Sequence, residues 1–596
     1  MLQFIDWLII IIFFCIVLLI GFIASKKAGK SYAEYFLSGR NMPWWLLGVS
    51  MVACTFSADT PNLVTDIVRL NGVAGNWAWW AFLLTGMLTV FVYAKLWRRS
   101  EVMTDLEFYE IRYSGKMAAF LRGFRAIYLG LFFNVMIMGT VSLAAIKIGS
   151  VMFNLDKYTT IILASFAVVI YATIGGLRGV LFADFFQFGI AMVGSIAAAV
   201  VAVNQPEIGS LKALISHEAL QGKLNFIPDF TNMTVLIPLF IIPIAVQWWN
   251  VWYPGAEPGG GGYIAQRMLS AKNEKNAIGA TLLFNIAHYA LRPWPWIIVA
   301  LSSIVIFPEL SDIKAHFPQI SDQYLKNDIA YPVMMTLLPK GLFGLVVASL
   351  VAAYMSTIGT HLNWGASYVV NDFYKRFMKP NASEKDLVRM GRLLTVLLMI
   401  LAAIVALWLE NAKQAFDILL QIGAGTGLIF ILRWFWWRIN AYTEISAMVV
   451  SFVVAVFFKM IVPAPSAQIM TAWYQESHWQ LLIGIGITTI SWLVVTYITK
   501  PEKDDILKGF VRLIRPGGPG WKTINEKLRS EGFPEVSHQL PLEILCMFIG
   551  VITVYGALFA TGFWLYHQIF PAVVSTIIAG ITAFVLFRIF VKLKVN

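Results

Sequence analysis

The chain has 596 residues, of which 59% are hydrophobic and 13% charged, and a formal net charge of +12. A soluble protein of this size would carry roughly a quarter charged residues, so water is excluded as its main solvent, and the mean hydropathy of +0.72 agrees. The excess Lys and Arg fall in short segments between apolar runs, which speaks against a nucleic-acid surface and fits orientation in a lipid bilayer.

About 20 apolar residues carry an α-helix across the hydrocarbon core, and by that measure about fifteen spans are predicted. The first, 5–25, has no basic stretch before it and is followed by Lys26, Lys27, Lys30 and Arg40. That pattern marks a transmembrane helix with its N-terminus outside rather than a cleaved leader. Spans follow at 42–72, 77–96, 118–152, 158–177, 180–203, 232–264, 275–307, 332–371, 388–409, 414–436, 441–462, 479–499, 541–566 and 569–592. Alternate loops are basic: Lys26–Arg40, Lys95–Arg125, Arg178, Arg267–Lys275, Lys375–Arg392, Arg433–Arg438, Lys500–Lys527 and Arg588–Lys594. The positive-inside rule then places the C-terminus in the cytoplasm of a bacterial inner-membrane protein. Cys15, Cys54 and Cys546 all lie in apolar spans, with neither a disulfide framework nor metal-ligand spacing.

Two spans are interrupted. Ser57–Asn62 (SADTPN) breaks 42–72, and Tyr253–Gly262 (YPGAEPGGGG) breaks 232–264. Free backbone groups at membrane depth are tolerated where they line a cavity. Gly/Pro-interrupted spans at corresponding places in two halves point to a transporter's binding site. The breaks lie five helices apart, which predicts a five-plus-five inverted repeat. The expected divisions are an N-terminal peripheral helix and cytoplasmic loop at 1–41, repeats at 42–203 and 232–436, and an extracellular linker at 204–231. Beyond them come peripheral helices at 437–499, a cytoplasmic loop at 500–540 with an amphipathic helix over Asp505–Ile514, and a C-terminal helical hairpin at 541–596.

Enzyme chemistry finds no support. The seven histidines are scattered and only His288 and His361 fall in deep spans. No nucleophile–base set and no zinc spacing is present, and Gly259–Gly262 is not followed by a phosphate-loop Lys. Ionisable residues inside a membrane are costly and so are functional candidates. Here these are Asp59 in the first break, Asp184, and Arg292 beside Pro293; for Asp184 and Arg292 a structural ion pair or carbonyl cap is the competing reading. Ser356 and Thr357 stand together in an apolar helix. Hydroxyls plus backbone carbonyls suit a hard cation, although such residues also simply bond the preceding turn.

These residues lie among motifs that resemble the sodium/solute symporter family, whose members include sodium/glucose cotransporters. The matching stretches are YFLSGRNMPWW (Tyr35–Trp45), TDLEFYEIRYS (Thr104–Ser114), YATIGGLRGVLFADFFQ (Tyr171–Gln187), YIAQRMLSAK (Tyr263–Lys272) and the Ser356–Thr357 helix. The resemblance covers about residues 1–500 and implies an all-α membrane protein of the leucine-transporter-like fold. It implies a sodium site from the carbonyls of Ala53, Phe56 and Ala353 and the hydroxyls of Ser356 and Thr357, with Asp184 as an ion-coupling acid. For the solute it implies Asn250 and Tyr253 and, more loosely, Gln421. A sugar-binding glutamate of the family is replaced by Ala78, a polar position on the first break becomes Thr60, and the second break is longer than usual. These departures suggest a different pocket from Asp59, Thr60, Trp77, Glu257 and Trp248.

The expectation is therefore a sodium-coupled importer of a small polar organic solute, sugar-like or other, working by alternating access. Na+, the solute and the lipid bilayer are its partners, and nucleic acid is not. The alternatives are a proton-coupled carrier of the same fold and a non-transporting membrane sensor.

Overall fold

A computed structural model describes residues 3–249, 257–409, 426–462, 473–534 and 539–593. Eleven of the described helices are long and apolar enough to cross a bilayer. No strand occurs among the described residues; an isolated parallel bridge joins Met42 to Ala271.

The helices relevant to the site, in chain order, are α1 (Phe4–Ala28), α2 (Trp44–Cys54), α3 (Thr60–Asn71), α4 (Val73–Ser100), α5 (Gly115–Phe153) and α6 (Lys157–Val203). After these come α7 (Met233–Ala245), α8 (Gly262–Ser270), α9 (Glu274–Ile306), α10 (Leu342–Met378) and α11 (Glu384–Trp408). The C-terminal part holds α12 (Gly427–Leu432), α13 (Ala441–Lys459), α14 (Ser477–Ile498), α15 (Asp504–Ile514), α16 (Lys522–Ser530), α17 (Leu540–Leu565) and α18 (Ile569–Phe590).

The difference from fifteen spans has local causes. α6 covers both 158–177 and 180–203, because the chain turns sharply at Gly176 (φ 54°, ψ −162°) without leaving a loop. A Cβ there would stand 2.8 Å from the Tyr35 carbonyl oxygen, so only glycine fits this crossing. The described helices of the two broken spans are too short to cross singly. Most of 414–436 lies outside the described residues. The span 332–371 is also divided: a short helix, Ala330–Met335, ends before Pro339, and α10 begins after Gly341 at φ 80°.

α6 and α10 pack along much of their lengths, with α1 against both, α2 and α9 beside α6, and α3 against α9. The basic loops gather into one layer. Arg40 donates to the carbonyls of Glu101 and Val102, Arg99 pairs with Glu274 at 2.7 Å, the Tyr32 amide meets Glu384, and Ser114 meets Glu502. At the other end of the helices Arg69 caps the carbonyls of Phe307 and Pro308, and Lys147 pairs with Asp328.

α15 forms where an amphipathic helix is expected. Its apolar face is not spread on a membrane surface, however. Leu507, Phe510, Val511 and Ile514 are buried against α16, the end of α4 and Phe108–Arg112. Trp521 closes this lobe, stacked on Phe510 and donating to the Trp434 carbonyl at 2.7 Å. The hairpin α17–α18 packs through α17 on α4 and α9, where Glu543 forms a buried pair with Lys95.

Candidate ion and solute site

The first break lies between α2 and α3. Thr55 turns its hydroxyl back onto the carbonyls of Met51 and Val52 at 3.0 and 2.9 Å, taking up acceptors that the ending helix leaves free. The amides of Thr55 and Phe56 bond three residues back, to Val52 and Ala53. Pro61, which has no amide hydrogen, sits in the first turn of α3, and Asp59 occupies the N-cap position. The helix is thus interrupted at Thr55–Asp59.

The second break has a different chemistry. α7 ends at Ala245, a short 3-10 turn covers Gln247–Trp249, and α8 starts at Gly262. Gly259, Gly260 and Gly262 have φ of 87°, 85° and 55°, a region that favours glycine. The Trp97 indole N–H donates to the Gly259 carbonyl at 2.9 Å. Asp105, from the TDLEFYEIRYS stretch, accepts the Gly262 amide at 2.9 Å and the Tyr368 hydroxyl at 2.5 Å. An acid facing the first amides of α8 is the favourable sign for a helix N-terminus.

α10 meets both breaks. The Thr357 hydroxyl donates to the Cys54 carbonyl at 3.1 Å, and the Ser356 hydroxyl donates to Asp184 at 2.6 Å. Asp184 also accepts from Ser50 and lies 3.5 Å from Arg267, both partners fully buried. Arg267 donates further to Ser50, Thr360 and the Tyr263 carbonyl. Ala53, Phe56 and Ala353 are buried. The five residues expected at the sodium site thus belong to the end of α2, the break and the facing stretch of α10. Arg267 corrects the sequence reading, which put it in a cytoplasmic loop: it lies inside α8, and its partner is Asp184. Four buried acceptors around one guanidinium explain why it stays within the membrane region.

A cavity of about 160 Å³ opens between the first break, α4, α5, α9 and α10. Asp59 and Thr60 line it, as do Ala78, His288, Arg292 and His361. Trp77 does not; its indole donates to the Phe226 carbonyl at 2.8 Å and its ring meets Phe240, Tyr555 and Phe559. Trp79 lines the cavity instead. Two residues apart on a helix is about 200°, so the two indoles face opposite ways. Trp248 packs on Trp249 outside the cavity lining. Glu257 is held by Arg125, with Arg433 at 3.9 Å. It borders a smaller adjoining space of about 60 Å³ rather than the cavity of Asp59. Asn250, Tyr253 and Gln421 lie outside the described residues.

Sequence reasoning missed His288, Tyr289, Tyr263 and Trp79 as lining residues. For His288 a signal existed: it stands four residues before Arg292, on the same helical face, and its Nε2 lies 3.1 Å from an Arg292 nitrogen.

The model of the "Sodium:solute symporter family" matches residues 35–451. The chain belongs to this family. A sodium/glucose cotransporter of Vibrio parahaemolyticus is 27% identical over 478 residues, which is 77% of this chain and 86% of the relative. Sodium/glucose cotransporter 1 of Oryctolagus cuniculus is 24% identical over 547 residues, 84% of this chain and 80% of that one. A solved Na+-coupled sialic acid symporter in a substrate-bound outward-open state superposes with a TM-score of 0.63 at 19% identity, over 84% of this chain and 99% of that one. That likeness gives the fold. The chain is a multi-pass membrane protein and a sodium-coupled symporter of a small solute, not an enzyme.

Proposed function

We propose that the chain imports its solute by alternating access, with Na+ held between the first break and α10. The carbonyls of Ala53, Phe56 and Ala353 and the hydroxyls of Ser356 and Thr357 are its ligands. The bond from Thr357 to the Cys54 carbonyl carries this reading, because it lays α10 against the unwound end of α2. Asp184 tunes the site through Ser356. Na+ is carried, and no further cofactor is assigned. The solute occupies the cavity bordered by Asp59 and Thr60. Asn250, Tyr253 and Gln421 are assigned to the solute path from the family pattern alone. Glu257, bound to Arg125, acts beside the cavity, at the smaller adjoining space, and not in it.

The segments 42–203 and 232–436 act as the two halves of a five-plus-five repeat, with the other divisions as expected from the sequence. The basic layer faces the cytoplasm of a bacterial inner membrane, with the N-terminus outside and the C-terminus inside. Gathering of the basic loops at one end of the helices supports this orientation. One positive charge moving inward then gains about 2.3 kcal/mol per 100 mV, enough for tens-fold accumulation.

Ser356→Ala with Thr357→Ala should abolish stabilisation of the purified protein by Na+ and sodium-gradient-driven uptake in proteoliposomes, with the helical circular dichroism signal kept. Undiminished sodium dependence in that double variant refutes the site. Uptake indifferent to Na+ in the unaltered protein favours the proton-coupled reading, and no uptake of any solute that binds favours the sensor.

A further inference from the structure

The cavity at the first break holds two opposite charges that do not pair with each other. Asp59 and Arg292 both line it, and among the described residues neither forms an ion pair. Asp59 Oδ1 is buried without a hydrogen-bond partner, and Ser57 is the side chain beside the carboxylate. Arg292 is 2% exposed. It donates to the Val52 carbonyl at 3.2 Å and to Thr55 at 3.1 Å, meets His288 Nε2 at 3.1 Å, and lies over the Trp296 ring. Its Nε has no partner.

The broken helix compensates each charge in part. Asp59 stands at the N-terminus of α3 and Arg292 donates to the Val52 carbonyl near the C-terminus of α2. A helix end carries about half a unit charge of the opposite sign, which leaves each group roughly half compensated. Leu63, Val64, Ile67, Ala78, Ile137 and Val141 give the cavity aliphatic surface, beside the rings of Trp79, Tyr263, His288, Tyr289 and His361. The Thr140 hydroxyl, which also lines it, donates to the Met136 carbonyl.

Resting on the assignment of this cavity to the solute, we propose that the solute is a small zwitterion with an apolar body, an amino acid or a betaine. Its cationic group meets Asp59 and its carboxylate meets Arg292, while the body lies against the aliphatic residues of the lining. A polyhydroxylated solute fits the arrangement poorly. Its hydroxyls point in all directions, and those that face the aliphatic side chains would lack a partner, at a cost per group. A zwitterion concentrates its polar atoms at two charged groups and neutralises both buried charges at once.

The test is a thermal-shift screen of the purified full-length protein in Na+ and in K+. The probes are the standard amino acids, glycine betaine, glucose and myo-inositol. For any amino acid that binds, the amine lacking the carboxylate and the acid lacking the amine are added. At least one amino acid or betaine should stabilise the protein, and both truncated analogues should bind about 10- to 100-fold more weakly, as loss of a hydrogen bond to a charged group implies. Asp59→Asn should weaken the zwitterion by the same factor and leave the truncated acid unaffected; Arg292→Gln should spare the truncated amine. That reciprocal pattern does not arise from general destabilisation. The proposal is overturned if no amino acid or betaine binds, if glucose or myo-inositol binds in preference, or if both truncated analogues bind as well as their parent. A zwitterion that binds equally in Na+ and K+ would instead refute sodium coupling at this site and leave the solute class standing. A sugar that binds only in Na+ would do the reverse.

Discussion

Replacing Asp184 separates two roles that the structure superimposes on one carboxylate. It accepts from Ser356, the expected ion ligand, and neutralises Arg267. Asp184→Asn keeps the shape but leaves the Arg267 guanidinium buried without a counter-ion, at a cost of about 3–5 kcal/mol. Arg267→Gln alone strands the carboxylate in the same way. With both replaced, the site holds two neutral amides among Ser50, Thr360 and Ser356, and most of that loss should be recovered, since neutralising a whole buried pair is often near neutral. Sodium affinity follows another rule. In the proposed site the carboxylate orients the Ser356 hydroxyl so that its lone pairs face the ion, and a hydrogen bond to a charged group is worth about 1.5–3 kcal/mol. The double variant should therefore melt close to the unaltered protein yet need about 10- to 100-fold more Na+ for half-maximal stabilisation. A Na+ titration of the melting temperature in a K+ background reads both quantities. Sodium affinity restored together with stability would refute the coupling role and leave Asp184 as the partner of Arg267 alone.

Other outcomes follow from the packing. Gly365→Ala should cost about 1–3 kcal/mol by overpacking, because the new methyl would stand 2.7 Å from the Gly130 carbonyl oxygen and meet Asn134 Nδ2; a lowered melting temperature checks this. Trp521→Ala should cost about 3–5 kcal/mol in the lobe it closes, seen as faster proteolysis within 504–530 while the membrane helices resist. The same lobe should loosen in acid. Lys508 at 2.5 Å and Lys527 at 2.6 Å hold the carboxyls of Glu531 and Asp504 below their ordinary values of 4.5 and 3.8. Their contribution is thus complete above those values and is lost as pH falls through the lowered ones, so proteolysis of the lobe should accelerate below about pH 4 and also in high salt.

Much of this was legible because membrane insertion imposes length and charge rules that single residues cannot hide. The interruption at SADTPN was readable from Pro61, and the described part of the second, 257–262, from its glycines, since both remove or redirect backbone hydrogen bonds; Tyr253 to Ala256 lie outside the described residues. The break between 158–177 and 180–203 was legible and falls at Gly176, but that the chain turns there without a loop was not, because only the close approach of the Tyr35 carbonyl makes glycine necessary. Arg267 was misassigned because a basic residue near a span end usually lies in a loop, and the approach of Asp184 from α6, which gives it a counter-ion, is not visible in the sequence. Trp77 and Trp79 are alike in composition, and their opposite facing depends on the start of the helix, which pattern alone fixes poorly.

The two breaks are held by unlike means, and α10 is what they share. At the first, side chains do the work: the Thr55 hydroxyl, the Arg292 guanidinium and the Thr357 hydroxyl take up the carbonyls of α2. At the second, glycine backbone and Asp105 do it, and Asp105 is fastened to α10 through Tyr368. α10 also reaches α8 through the bond from Gln266 to Asn363. An ion shifts a conformational balance only through unequal affinity for its states. In the proposed site the cation at Ser356 and Thr357 sits on a helix bonded to the first interruption through Thr357 and to the second through Tyr368 and Asp105, so movement of either break relative to α10 changes its coordination. Coupling between ion and solute then needs no separate relay.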